Sequence, residues 1–313
     1  MHFKENYKSI VYKMLPVKKI YVDSKFKTPD SKSTSDFKFE LKESVLLPTN
    51  TIAYIDNICI AHAWRTIEEN VNDKLYIQVT NSSQVASSKA NECRIIQLTS
   101  GNYNISTLAS EIQTKANNAF ASSGIPTHFN ISPNLVDNTI IINPAVSSVE
   151  FKILRDYDLI NGLPDTIDVA GNPWLSSWTG PSFDPSNTQD INDMINNFAG
   201  PSAFATIHTP FKSSYTDLQY AKNLYLHSPN LSSFSTVGVL GERTILKKIP
   251  VNVGNNEMII DNITSSSDWL DCSKMTLRTL QFQIKNVKGQ TIPLHNTNVS
   301  FSIVFDKYRE SVE

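Results

Sequence analysis

Glycine is scarce in this chain, at 10 of 313 residues. That is low for an enzyme built around a glycine-rich nucleotide loop, and no P-loop, GxGxxG or GxSxG pattern is present. Cysteine is scarcer. Cys59, Cys93 and Cys272 lie far apart with no CxxC pair, which excludes a cysteine-based zinc site and argues against a disulfide framework. A reducing site of synthesis fits best. No run approaches about 18 consecutive apolar residues, so no membrane-spanning helix is expected. The opening Met1-His2-Phe3-Lys4-Glu5-Asn6 lacks the apolar stretch of a signal peptide.

What the chain has in quantity is Ser (36), Asn (30) and Thr (24). These side chains hydrogen-bond their own backbone and favour turns and strands over helix interiors. With 40% hydrophobic and 19% charged residues, a packed core is expected. The composition leans towards an all-β protein with long loops. Asn-x-Ser/Thr sequons occur at Asn81, Asn104, Asn130, Asn230, Asn262 and Asn298. Roughly five or six would arise by chance, so they do not argue for glycosylation.

The net charge of −2 hides an asymmetry. Residues 1–42 hold ten Lys against five acidic residues, a balance of +5, so the remainder carries −7. Residues 1–20 are read as a basic N-terminal arm. It is either a solvated tail or a partner-docking arm with Lys4, Lys8, Lys13, Lys18 and Lys19 as its contacts. Direct nucleic-acid binding is disfavoured, because the arm contains no Arg and is laced with acids.

Strand-like patterning begins after the arm. Phe37–Leu41 alternates strictly, Ile52–Ile60 is nearly continuous in apolar character, and Leu75–Val79 follows. Arg94–Leu98 looks like a strand. Ser106 is the expected N-cap of a helix from Thr107 to about Ala121, with Leu108, Ile112, Lys115/Ala116 and Ala119/Phe120 at helical spacing. Phe129–Ile131 and Thr139–Ile142 are expected to pair, and Val149–Leu154 is a further strand. Residues 162–201 concentrate four Gly and five Pro around Trp174, Trp178, Phe183 and Phe198, with a short helix expected near 187–198. This stretch is either a long loop packed on its own domain or an aromatic contact surface. After residue 220 the strands are Asn223–His227, Thr244–Val251, Glu257–Asp261, Leu280–Lys285 and Val299–Phe305.

Three strands before residue 80 and five after 220 make eight. The expected fold is therefore an all-β-dominated single eight-stranded jelly roll, a β-sandwich, with an inserted α/β subdomain after the third strand. The expected divisions are an arm (1–20), the first part of the jelly roll (21–80), the insert (81–220) and the second part (221–313).

Evidence for chemistry is thin. His2, His62, His128, His208, His227 and His295 lack metal-ligand spacing, although strand pairing could bring His62 and His227 together. Asp268 and Asp271 in Ser265–Cys272 are either an acid pair or turn-capping residues beside Trp269. Cys272 has no base nearby in sequence. No metal, cofactor or catalytic residue is assigned, and the chain is read as a non-enzyme.

Several patches in order resemble one family. They are Tyr21–Phe26 and Ser33–Leu41, Leu47-Pro48 through Ile60, Trp64–Glu68, Leu75–Ile77, Leu98–Asn104, Thr244–Val251, Asp268–Asp271, Leu277–Leu280 and Asn298–Ile303. Together they are similar to the penton (minor capsid) proteins of polinton-like viruses, virophages and adintoviruses. The resemblance spans roughly 21–305 and leaves 162–215 unmatched. It implies a single jelly roll that forms homopentamers at the five-fold vertices of an icosahedral double-stranded DNA virus capsid, with an outward-facing insert. It implies as partners a double jelly-roll major capsid protein and an internal cement protein. The location implied is the virion, after synthesis in the host cytoplasm. The alternative is a virion-surface module recognising a host receptor or glycan through Trp174, Trp178 and Phe183. A jelly-roll enzyme using Asp268 and Asp271 ranks below both.

Overall fold

The computed structural model describes residues 18–81, 91–121, 128–154, 206, 208–213, 215–219, 221–231, 236–263 and 268–307. In chain order the elements are β1 (Lys18–Asp23), β2 (Asp36–Leu46), β3 (Thr51–Ala61), β4 (Lys74–Asn81), β5 (Asn91–Gln97) and α1 (Ile105–Phe120). Next come β6 (Phe129–Asn134), β7 (Thr139–Pro144), β8 (Val149–Ile153), β9 (Phe211–Lys212) and β10 (Asn223–His227). The last are β11 (Ile245–Pro250), β12 (Met258–Asp261), β13 (Leu270–Asp271), β14 (Thr276–Lys285) and β15 (Val299–Lys307). The chain divides into two compact units, residues 1–64 with 221–313, and residues 65–220.

The first unit holds two antiparallel sheets. One runs in the order β1-β15-β3-β12, with β13 also paired to β3; the other runs β11-β10-β14-β2. Period-two alternation gives each sheet an apolar inner face. On β14, Leu280, Phe282 and Ile284 are buried while Gln281, Gln283 and Lys285 are not. On β15, Val299, Phe301, Ile303 and Phe305 are buried. The faces meet at Phe282, whose ring lies 4.9 Å from Phe301 of the other sheet in an edge-on contact and 5.6 Å from Phe37. This is the arrangement of a β-sandwich.

One irregularity in β3 re-aims a charge. Asn57 lies opposite Ser302 but Ile55 lies opposite Ile303, so Asp56 is an extra residue, a β-bulge. The bulge resets the alternation so that Ala53, Ile55, Ile58 and Ile60 all face the core.

Two expectations about strand membership are corrected here. Leu75–Val79, expected as the third strand of the sandwich, lies in β4, which is hydrogen-bonded to β5 and β8 in the second unit. The strand opening the sandwich is instead β1, which begins within the stretch read as the arm. Its Ile20 and Val22 are buried, Tyr21 is exposed, and all six residues pair with β15.

The second unit packs the sheets β5-β4-β8 and β6-β7-β9 with α1. Leu75, Ile77 and Val79 share one apolar cluster with Leu108, Ile112, Ala116, Phe120, Phe129, Ile142 and Phe151. The α1 cap is Asn104 rather than Ser106. Asn104 Oδ1 accepts from the Thr107 amide (2.9 Å) while Thr107 Oγ1 accepts from the Asn104 amide (3.0 Å). That reciprocal box satisfies two backbone donors, which a lone Ser106 could not do. β6 and β7 pair as expected. The outer edge of β6 is covered by side chains of α1. Asn117 accepts from the Phe129 amide (2.7 Å) and donates to the Phe129 carbonyl (3.2 Å), and Gln113 accepts from the Ile131 amide (2.7 Å). The short helix expected near 187–198 lies outside the described residues.

Candidate functional site

The features of the first unit that bear on function lie at the two flanks of the sandwich, where each sheet ends. At one flank the terminal strands are β11 and β12. Lys247 of β11 is 3% exposed. Its ammonium lies 3.5 Å from the Asp261 carboxylate of β12 and donates to the Ile263 carbonyl at 2.6 Å. A buried ammonium persists only with such partners, so this pair fastens the ends of the two sheets together. On the strand paired with β11, where Leu226 lies opposite Lys247, His227 of β10 is buried with Nδ1 2.9 Å from Thr244 Oγ1. Burial, then the Lys285 charge, pushes its pKa down to about 4, so it is neutral at pH 7.

At the other flank the terminal strands are β1 and β2. Between them runs a cleft of about 570 Å³, lined by Ile20, Val22, Phe26, Phe39, Leu41 and Phe301 among others. Two aromatic side chains of its lining are largely in water, Tyr21 at 72% and Phe26 at 70% exposure. The start of the β2 edge is covered, because the Thr28 amide donates to the Lys38 carbonyl (2.9 Å) and the Lys38 amide donates to Ser31 Oγ (2.9 Å). Among the described residues no strand pairs with the outer edge of β1.

Lys18 and Lys19, read in the sequence as arm contacts, belong to β1 and already have partners. Lys18 pairs with Glu43 at 3.2 Å, and Lys19 pairs with Asp56 on the β3 bulge. The Asp56 hydrogen bond is the largest cause raising the Lys19 pKa. Lysines on an edge strand also discourage indiscriminate strand addition. Lys4, Lys8, Lys13, Trp174, Trp178 and Phe183 lie outside the described residues.

Of the two acids singled out in the sequence, Asp271 is engaged in a turn. Asp271 Oδ1 accepts from the Ser273 amide (2.9 Å) and hydroxyl (2.6 Å), a turn cap that holds its carboxyl below the usual range. Burial first, then the Asp271 charge, pushes the Cys272 thiol up to about 12, far from a nucleophilic thiolate. His62 and His227 are not brought together as ligands. His62 donates through Nδ1 to the Val253 carbonyl (3.1 Å) and stacks on Trp64, ring centroids 4.0 Å apart. Among the described residues no group of three His, Cys, Asp or Glu could hold a metal ion. No helix among them is long and apolar enough to cross a membrane.

Sequence reasoning missed the cleft. The available signal was the alternation Ile20/Val22 around Tyr21, matched by Phe37/Phe39 on β2. Nothing local reveals that both strands end their sheets on the same side.

No family model matches the chain, and no curated protein matches it. Among solved structures it is similar to the mavirus penton protein, known from a selenomethionine-labelled crystal. The identity is 10% over 93% of this chain and 100% of that chain, with a TM-score of 0.47.

Proposed function

We propose that this chain is a penton (minor capsid) protein, a structural virion component that forms closed homopentamers at the five-fold vertices of an icosahedral capsid. The observation that carries the reading is the nesting of strand pairs. Leaving aside the two-residue β13, the described residues of the first unit hold the strands β1, β2, β3, β10, β11, β12, β14 and β15. The first pairs with the eighth, the second with the seventh, the third with the sixth and the fourth with the fifth. A long hairpin wound onto itself, the winding of a jelly roll, would give these pairs, and that supports the reading. The second unit interrupts the connection between the third and fourth strands, as an inserted domain on a penton would. A fold alone does not assign a function. The ordered sequence patches similar to pentons are the second support.

On this reading the partners are four further copies of the chain, a double jelly-roll major capsid protein and an internal cement protein. The test is the mass of the purified protein by size-exclusion chromatography with light scattering. A closed ring of five 35.0 kDa chains weighs 175 kDa, and that species is the expected result. A trimer, or a monomer that stays monomeric when co-expressed with the major capsid protein, overturns the reading.

A further inference from the structure

We propose that the cleft between β1 and β2 receives residues 10–15 of a second copy of this chain, laid along the free edge of β1. The inference rests on the ring reading above for the source of the second copy, but on separate observations for the contact itself.

The cleft is shaped for an extended apolar segment. β1 ends its sheet, and the outer edge of β1 offers main-chain donors and acceptors with no strand partner among the described residues. An added strand takes its affinity from such groups and its specificity from alternate side chains. The lining is mainly apolar, with Phe26 and Tyr21 standing in water beside it. Large exposed aromatics beside an unpaired edge mark a surface that something covers.

Residues 1–17 lie just before β1. Within them, Ile10-Val11-Tyr12-Lys13-Met14-Leu15 has strand character. Ile10, Tyr12 and Met14 fall on one face, with Val11, Lys13 and Leu15 on the other. The charges match as well. Asp23 and Glu40 line the cleft, Glu40 already paired with Arg278, against one lining cation, Lys42, and the incoming run brings Lys13.

The same chain is poorly placed to supply this strand to itself. Lys18 and Lys19 are fixed opposite Phe305 and Val304, so a hairpin back onto β1 must turn before residue 18. A two-residue turn would put Pro16 first, where the favoured hairpin turns need positive φ and proline is locked near −65°. A three-residue turn would put the β-branched Val17 in the left-handed position. A neighbour's segment meets neither obstacle. In a closed ring each copy then gives one segment and receives one, leaving no cleft empty.

The test uses the full chain with a photo-crosslinking benzoylphenylalanine in place of Tyr12. Unlabelled and ¹⁵N-labelled copies are mixed before assembly, and crosslinked peptides are identified by mass spectrometry. The expected products join residue 12 to residues 20–26 or 39–42 and carry mixed isotopes. Phe26→Glu, placed on an exposed side chain, is expected to lower their yield by at least roughly tenfold with an unchanged circular dichroism spectrum. Isotopically unmixed products alone, or products outside the cleft, overturn the proposal. A 175 kDa ring without cleft crosslinks removes this inference and leaves the penton reading standing. Mixed crosslinks in a dimer remove the penton reading and leave this inference standing.

Discussion

At the β11/β12 flank, Lys247 sits buried between two strands with Asp261 and the Ile263 carbonyl as partners. At the β1/β2 flank, Tyr21 and Phe26 stand in water beside an apolar cleft. Both flanks face the same physical problem, because a two-layer sandwich exposes core and unpaired backbone wherever its sheets end. One is closed from within by a buried ion pair. At the other, no strand pairs with the outer edge of β1 among the described residues. The second unit shows a third solution, since Asn117 and Gln113 of α1 occupy the free edge of β6. Where the fold closes an edge itself, removing the closure should cost stability. Where it does not, mutation should cost assembly.

The largest effect is expected at the closed flank. Lys247→Met leaves the Asp261 carboxylate buried without its partner and should destabilise by about 3–5 kcal/mol. Replacing both residues with apolar ones should return stability to within about 1 kcal/mol of the parent, because the unpaired charge is then gone. Urea denaturation of the two single variants and the double variant measures the coupling. Additive losses would mean that the pair does not fasten this flank.

The same flank should be acid-sensitive. His227 is held neutral with a pKa of about 4, against an ordinary value of 6.5. Its pKa is depressed in the fold, so the unfolded chain binds the proton first as pH falls. Stability is complete above about pH 6.5 and is lost as pH drops towards 4, by on the order of 2–3 kcal/mol. Burial shifts His62 in the same direction. His227→Gln should flatten much of the dependence of the urea midpoint between pH 6.5 and 4. An unchanged slope would place the acid sensitivity elsewhere.

These flanks also show what a sequence can carry. The strands of the core are legible because alternation is local. Leu280, Phe282 and Ile284 read correctly without any partner in view. Sheet membership is not local. Lys74–Asn81 has the look of a sandwich strand, yet its neighbours are β5 and β8. β1 has only Ile20 and Val22 to mark an inner face, and both lie among the lysines of a basic stretch. Its role comes from pairing with β15, nearly the whole chain away. The cleft depends on two such strands ending on one side, and no local pattern carries that. The Asn104 cap is marked only by the general preference of Asn for that position, because Thr107 stands where the usual signature has Glu or Gln.

A smaller loss is expected where α1 covers β6. Asn117→Ala removes both bonds to Phe129 and should destabilise by about 1–2 kcal/mol. Hydrogen exchange at the Phe129 amide should speed up along with it. Faster exchange without a change in global stability would make the cover a local seal rather than part of the cooperative fold.

The smallest effect on stability should come from the open flank, and it discriminates best between the two ways of finishing an edge. Tyr21→Ser and Phe26→Ser remove side chains that are already 72% and 70% exposed. In the isolated chain each should change stability by no more than about 0.5 kcal/mol. In the assembled protein the same changes remove aromatic surface from beside a proposed contact, so the concentration at which the assembly dissociates should rise. If both variants instead lowered monomer stability by more than about 2 kcal/mol, the aromatics would belong to the core. The cleft would then be a packing fault of the sandwich, and the distinction between its two flanks would fail.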